Sequence, residues 1–214
     1  MPKKYVSNST ESNRMFKSDL LEALSKVHYT VPLFIFLPVI GYFSWKSLFE
    51  GDFSVATFAG YYLAGLFVWS FTEYFMHRFV FHFTPKGKLM ERIHFIFHGV
   101  HHDYPNDAKR LVMPPSVSIP LATAFYFLFA LFLGKYALGA FFAGFISGYL
   151  FYDMSHYALH HANFKSGFWK KLKKHHMLHH YSEADKGYGV SSDFWDKIFG
   201  SAFSDSKDHH HNLS

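Results

Sequence analysis

The sequence predicts an all-α integral membrane protein: four transmembrane helices in two hairpins, with a cytoplasmic helical cap holding a histidine-rich di-metal site. Three observations predict it. The stretches 29–45, 53–72, 111–134 and 136–152 contain no Asp, Glu, Lys or Arg. If the chain crosses at all four, 19 of the 21 Lys and Arg fall on one side. All 17 His fall on that side or at its boundary.

The composition narrows the class. Of 214 residues, half are apolar, 21% are aromatic and only 17% are charged, which excludes a disordered chain. There is no Cys, so disulfides, thiolate haem, Cys-ligated iron–sulfur clusters and thiol catalysis are excluded. The net charge of +5 comes without a basic, aromatic-interleaved module, so no nucleic-acid partner is expected.

Residues 1–13 read as disordered. Phe16, Leu20, Leu21, Leu24 and Val27 follow at helical spacing and predict a helix lying on the inner membrane surface. Residues 1–28 thus form an N-terminal polar segment and interfacial helix, without the apolar core and cleavage site of a secretory signal. Residues 29–214 form the membrane-embedded domain. Each uncharged run is about the length needed to cross ~30 Å of hydrocarbon, and membrane helices tolerate Pro32, Pro38 and Pro120. The positive-inside rule puts both termini in the cytoplasm and leaves two short outside loops, 46–52 and 134–136. The cap is formed by 77–110 and 156–201. In the polar tail, 202–214, the adjacent His209, His210 and His211 read as solvated.

The histidines carry the chemistry. His77 and His82 stand in HRFVFH, about 140° apart on an ideal helix. They either grip opposite sides of a site or flank a local distortion. His94, His98, His101 and His102 in HFIFHGVHH share one helical stripe. His156 and His160 stand one turn apart in HYALHH, and His176, His179 and His180 in HMLHH repeat the HxxHH spacing. One such pair is ordinary surface; four clusters at one membrane face predict metal binding, for which neutral imidazole is well suited. The set is too large for one ion and suits two. Nitrogen ligands fit Zn, Cu, Fe or Ni, and a site facing lipid favours oxygen activation by a redox metal. His94 and His161 are expected beside the ligands without holding a metal themselves, His175 points elsewhere and His28 is structural. Glu73, one turn before His77, and Asp153, three residues before His156, are expected to orient ligand imidazoles.

Four strings extend this reading: EYFMHRFVFH (73–82), HFIFHGVHHDYPNDAKRLVMPP (94–115), GYLFYDMSHYALHH (148–161) and HHMLHHYSEADKGYGVSSDFWDKIFGS (175–201). They resemble the fatty acid 2-hydroxylase branch of the fatty acid hydroxylase/sterol desaturase superfamily. RLVMPP, the YD…HY…HH run and the GYGVSS…WD…FG tail narrow it to that branch. The resemblance implies two iron ions, for which zinc can substitute in a purified or crystallised form, and O2 as oxidant. It implies insertion of one oxygen atom at carbon 2 of a long acyl chain, either a free fatty acid or a sphingolipid N-acyl chain. Matched by motif position, the ligands are His77, His82, His98, His101, His102, His156, His160, His176, His179 and His180, with no catalytic residue separate from them. The chain has no HPGG haem motif. The implied electron donor is therefore a separate cytochrome b5-like protein or a ferredoxin with its reductase.

The lipid substrate would come from the bilayer. Each buried CH2 is worth about 0.8 kcal/mol, so the Phe-rich third and fourth spans suit an acyl chain. Carbon 2 lies next to the head group and so at the depth of the His boxes. Tyr152 and Asp153 are expected to hold the amide or carboxyl end. Phe194, Trp195, Ile198 and Phe199 are expected to pack a lid onto the membrane, after a tight turn at Gly187, Gly189 and Ser191. The host membrane is the ER in a eukaryote and the inner or plasma membrane in a bacterium. Two rivals stay open: a related oxidase acting on a sterol or carotenoid, and a non-enzymatic membrane metal-binding protein.

Overall fold

The computed structural model describes residues 5–203; His209–His211 and most of the polar tail lie outside the described residues. Among the described residues every regular element is helical. In chain order these are α1 (Asp19–Leu24), α2 (Val31–Trp45), α3 (Val55–Phe75), α4 (Lys88–His94), α5 (Val100–Asp103), α6 (Pro115–Ala130), α7 (Lys135–His161), α8 (Gly167–Tyr181) and α9 (Phe194–Ile198). Three π-turns interrupt them: Lys46–Glu50 after α2, Met76–Phe81 after α3, and Phe95–Gly99 between α4 and α5.

Among the described residues three helices, rather than four, are long and apolar enough to cross a membrane: Val31–Glu50, Val55–Phe81 and Lys135–His161. The third expected span, 111–134, is represented by α6, of 16 residues. It starts at consecutive prolines, and a turn at Leu131–Leu133 follows it. Two of the long helices also run past their uncharged cores. The last turns of Val55–Phe81 and Lys135–His161 carry His77 and His156, His160 and His161.

α7 is the central helix, with Leu138, Phe142, Phe145, Ile146 and Tyr149 all buried. The core joins Phe36 of α2 and Trp69 of α3 to Phe142, Phe145, Ile146 and Tyr149. Small residues let the helices approach. Ser47 Oγ, just after α2, donates to Tyr136 O at the start of α7 (2.8 Å), and Tyr62 Oη of α3 donates to Ser147 Oγ (2.7 Å). Phe34, Leu63 and Phe67, on the outer faces of α2 and α3, are exposed, as lipid contact requires.

The N-terminal segment departs from expectation. Residues 5–13 form no regular element and lie against the cap, which supplies partners for them. Val6 N donates to Asp103 O (2.9 Å), Asn106 Nδ2 to Asn8 O (3.1 Å) and Ser12 Oγ to Asp107 (2.8 Å), while Tyr5 packs edge-on against Tyr181. The interfacial helix is short. Leu20, Leu21 and Leu24 are exposed, whereas Val27 is buried.

Glu22 is the knot of this region. It accepts from the backbone N–H of Met15 and Phe16 (2.9 Å each) and pairs with Lys26 (2.6 Å) and Arg110 (2.7 Å). Burial alone would raise its pKa; those partners outweigh it and hold the carboxyl at about 2, against an ordinary 4.5. Its stabilisation is therefore complete above pH 4.5 and lost as pH falls toward 2. We expect the hydrogen-exchange protection of residues 12–27, relative to the intrinsic rate at each pH, to fall over that interval, and to be low already at pH 7 in Glu22→Ala. Unchanged exchange in that variant would show that other contacts hold the segment.

Candidate metal centre

The first candidate pair is built by a π-turn. His82 N donates to His77 O (3.1 Å), a five-residue bond that carries His82 back over His77. Their ring centroids come to 5.0 Å, so the pair lies together rather than on opposite sides of a regular helix. The turn at Phe95–Gly99 likewise breaks the stripe of the second box. His98 and His102 face one site, His101 turns to another, and His94 packs against Phe83 instead.

The result is two groups of five imidazoles. His77, His82, His98, His102 and His179 form the first; His101, His156, His160, His176 and His180 form the second. Within each group the ligand atoms lie within 4.8 Å of one another. In the first, Nε2 of His77 is 3.0 Å from that of His98, and Nε2 of His179 is 3.0 Å from that of His82. In the second, Nε2 of His156 is 2.9 Å from that of His101, and Nε2 of His160 is 2.9 Å from that of His176. The groups abut, with His102 stacked on His180 at 4.3 Å.

These contacts fit a metal better than hydrogen bonds. His77 Nδ1 donates to Tyr188 O (2.5 Å), His156 Nδ1 to Leu111 O (3.1 Å) and His179 Nδ1 to Lys186 O (2.7 Å). A neutral imidazole has one N–H, so each of these rings presents a bare Nε2 lone pair to its group. Two nitrogens bonded at about 2.1 Å to one ion, at right angles, stand about 3 Å apart. That is the spacing seen. Burial, reinforced by neighbouring imidazoles, holds the protonated form off. It pushes His82 down to about 3 and His98, His101, His102, His176 and His180 well below the ordinary value. Burial also lowers His179, to about 4. The site is thus a set of neutral, deprotonated donors ready for cations.

The expected orienting carboxylates are placed elsewhere. Glu73 Oε1 accepts from the N–H groups of Val190 (2.8 Å) and Ser191 (2.7 Å), not from an imidazole. Asp153 accepts from Met113 N (3.3 Å) and Tyr149 Oη (2.7 Å). Backbone carbonyls orient three of the rings instead, those of His77, His156 and His179. Tyr152, expected to meet substrate, stacks on His156 at 5.7 Å. His161 packs on Tyr157, and His28 bonds to Thr30, both away from the two groups.

Asp196 was not singled out in the sequence. It is fully buried and accepts from Tyr188 N (2.9 Å), Gly189 N (2.8 Å) and Ser201 Oγ (2.8 Å), with His175 beside it at 3.2 Å. Burial would raise its pKa, but these partners lower it. A carboxylate inside the apolar FWDKIF run was the available signal. Asp196 and Glu73 together pin the loop 188–191, whose Tyr188 carbonyl fixes His77. We expect Asp196→Ala to weaken metal binding at the first group about 10–100-fold. Chelator competition would measure it; unchanged affinity would show that the loop holds without this anchor.

Comparison with known proteins agrees with this geometry. The family model described as fatty acid hydroxylase matches residues 62–201. A ceramide very long chain fatty acid hydroxylase of Schizosaccharomyces pombe is 41% identical over 186 residues, covering 85% of this chain and 53% of that protein. The fatty acid 2-hydroxylase of Homo sapiens is 37% identical over 211 residues, covering 89% and 56%. A dihydroceramide fatty acyl 2-hydroxylase of Arabidopsis thaliana is 38% identical over 191 residues, covering 89% and 80%. The chain thus spans about half the length of the yeast and human proteins. A solved structure of full-length scs7p, with only its hydroxylase domain visible, superposes with a TM-score of 0.81. It is 39% identical and covers 87% of this chain and 70% of that one.

Proposed function

The chain belongs to the fatty acid hydroxylase family, and from that premise we propose that it is an O2-dependent di-iron monooxygenase that hydroxylates carbon 2 of a long acyl chain. The acyl chain would be that of a free fatty acid or the N-acyl chain of a ceramide-type sphingolipid, as the names of its relatives suggest. The observation that carries this reading is the pair of five-imidazole groups at the ends of apolar helices.

The ten grouped histidines are the proposed ligands. Iron held there would supply the redox chemistry that activates O2. The protein's own part is to keep ten imidazoles neutral, oriented and shielded from water. Tyr188, Leu111 and Lys186 lend their carbonyls to three of those rings. Apolar helix faces would take the acyl chain, and Tyr152, against His156, would face its reacting end. Asp153 would act on that end only through the Tyr149 and Met113 groups it already binds. Electrons would arrive from a separate cytochrome b5-like protein or a ferredoxin with its reductase.

For topology we propose four crossings with both termini cytoplasmic. At 1.5 Å per residue α6 reaches about 24 Å, and the apolar Leu131–Leu133 turn would complete its crossing. The host membrane would be the ER in a eukaryote or the inner membrane in a bacterium.

Expression in a host that lacks 2-hydroxy lipids tests the reading by mass spectrometry of extracted lipids. New 2-hydroxy acyl chains are expected. Ring or 4-position products would instead point to a sterol or carotenoid oxidase. Unchanged lipids with altered metal uptake would point to a carrier.

A further inference from the structure

We propose that Arg110, gripped by the N-terminal segment, is a positioning residue for the second group of imidazoles: it fixes the Leu111 carbonyl that orients His156. This rests on the reading of the ten histidines as ligands. It deepens that reading by making residues 12–27 part of what prepares one of the two groups.

Leu111 lies in the stretch 104–114, which joins α5 to α6 and forms no helix. No helical ladder holds its carbonyl, so other contacts must. His156 Nδ1 donates to that carbonyl at 3.1 Å. In the same group, no protein acceptor among the described residues reaches Nδ1 of His160, His176 or His180. The bond made by one ring nitrogen sets what the other presents. The lone pair that His156 Nε2 offers therefore depends on where one irregular peptide is held.

The segment preceding α2 holds it. Arg110 is the next residue along the chain, and its side chain is only 3% exposed. Its Nη1 donates to Ser25 Oγ (2.8 Å) and Ser25 O (3.3 Å), and its Nη2 to Asn13 O (2.8 Å) and Glu22 Oε1 (2.7 Å). Asp107 Oδ2 lies 3.3 Å from Nε and also accepts from Ser12 Oγ (2.8 Å). Val27 N donates to Lys109 O (3.0 Å) on one side of Leu111, and Ser116 Oγ to Leu24 O (2.8 Å) on the other. Leu111 and Val112 between these anchors are buried. A guanidinium presents its donors in a rigid planar fork, so it cannot shift and keep these bonds. A buried charge that loses its partners is costly, so the clamp holds as a unit.

The first group is anchored separately. The Tyr188 carbonyl that orients His77 belongs to a loop held by Asp196, through Tyr188 N, and by Glu73, through Val190 N. Loosening the Arg110 clamp should therefore disturb the second group and spare the first. A general loss of packing would weaken both.

The test uses the full-length protein in detergent, labelled with 15N at histidine and titrated with Co(II). In the metal-free wild type, His156 is expected to carry its proton on Nδ1, and two cobalt ions should bind per chain. In Arg110→Ala the His156 ring should populate both tautomers. Affinity for one cobalt should fall about 10–100-fold while the other is unchanged. Arg110→Lys keeps the charge without the fork and should recover only part of the loss. Glu22→Ala should act in the same direction and add little to Arg110→Ala, because both open one clamp. Ser25→Ala removes a single bond of the fork and should give a smaller shift of the same kind, which keeps the test open if Arg110→Ala does not fold. Equal weakening of both cobalt sites, or an unchanged His156 ring in these variants, would overturn the proposal. The ring resonance reports the Leu111 bond without any metal, so the two claims separate. Cobalt held outside the ten rings, with the His156 tautomer still lost in Arg110→Ala, defeats the ligand reading and leaves the clamp standing.

Discussion

His98→Ala and His176→Ala are each expected to cost one metal ion per chain and to reduce turnover by more than about 100-fold. Orienting partners alone are worth 10–100-fold, and these residues are proposed as the ligands themselves. Each sits inside one group: His98 between His77 and His102, His176 between His160 and His180. Losing one ring from either should therefore empty that group while the other keeps its ion. Elemental analysis of the purified variants, with circular dichroism to verify helix content, measures this. Full metal content in both would mean that neither ring is needed to hold an ion, and loss of both ions from one variant would mean that the groups do not bind independently. Chelation of the wild type should also lower Tm, since an ion present at 1,000 times its Kd stabilises a folded chain by about 4 kcal/mol. Bare lone pairs facing one another across about 3 Å would remain.

Gly144→Val is the second large effect. A side chain at Gly144 would place its Cβ 1.9 Å from Tyr62 O, and one at Gly65 would place its Cβ 2.0 Å from Phe141 O. Both obstacles are backbone, so no rotamer change relieves them. Overpacking typically costs about 1–3 kcal/mol; moving α3 away from α7 should exceed that. Since α7 carries His156 and His160 while α3 leads into His77, the displacement would also part the two groups. Loss of folded, metal-loaded protein in detergent is expected. Gly41→Ala and Gly60→Ala provide the contrast. Nothing lies within 4 Å of either new Cβ. Their expected effect is nil or a gain of up to about 1 kcal/mol from helix propensity. Equal stability of Gly144→Val and Gly60→Ala would refute the close α3–α7 packing.

Much of this architecture is legible in the chain because two signals in it are strong. Uncharged runs of membrane length mark the helices, and imidazoles repeated at 3, 4 and 5 residues mark the centre. What escapes a linear reading depends on local departures from regular helix. A five-residue bond draws His82 over His77, where ideal geometry sets them 140° apart. The π-turn at Phe95–Gly99 sends His101 to a different group from His98 and His102, although all three share a stripe on paper. Glu73 and Asp153 were natural orienting acids by sequence distance. Backbone carbonyls of Tyr188, Leu111 and Lys186 take that role instead, and carbonyls carry no sequence signature. The path of residues 5–13 also depends on remote partners such as Asp103 and Asp107. The short α6 reflects where Pro114 and Pro115 allow a helix to begin, not hydropathy.

Anomalous diffraction from crystals of the iron-loaded protein, recorded at the iron edge, tests the central claim most directly. Two peaks per chain are predicted. One should lie among His77, His82, His98, His102 and His179, and the other among His101, His156, His160, His176 and His180. A single peak, or iron bound outside these ten rings, would contradict it.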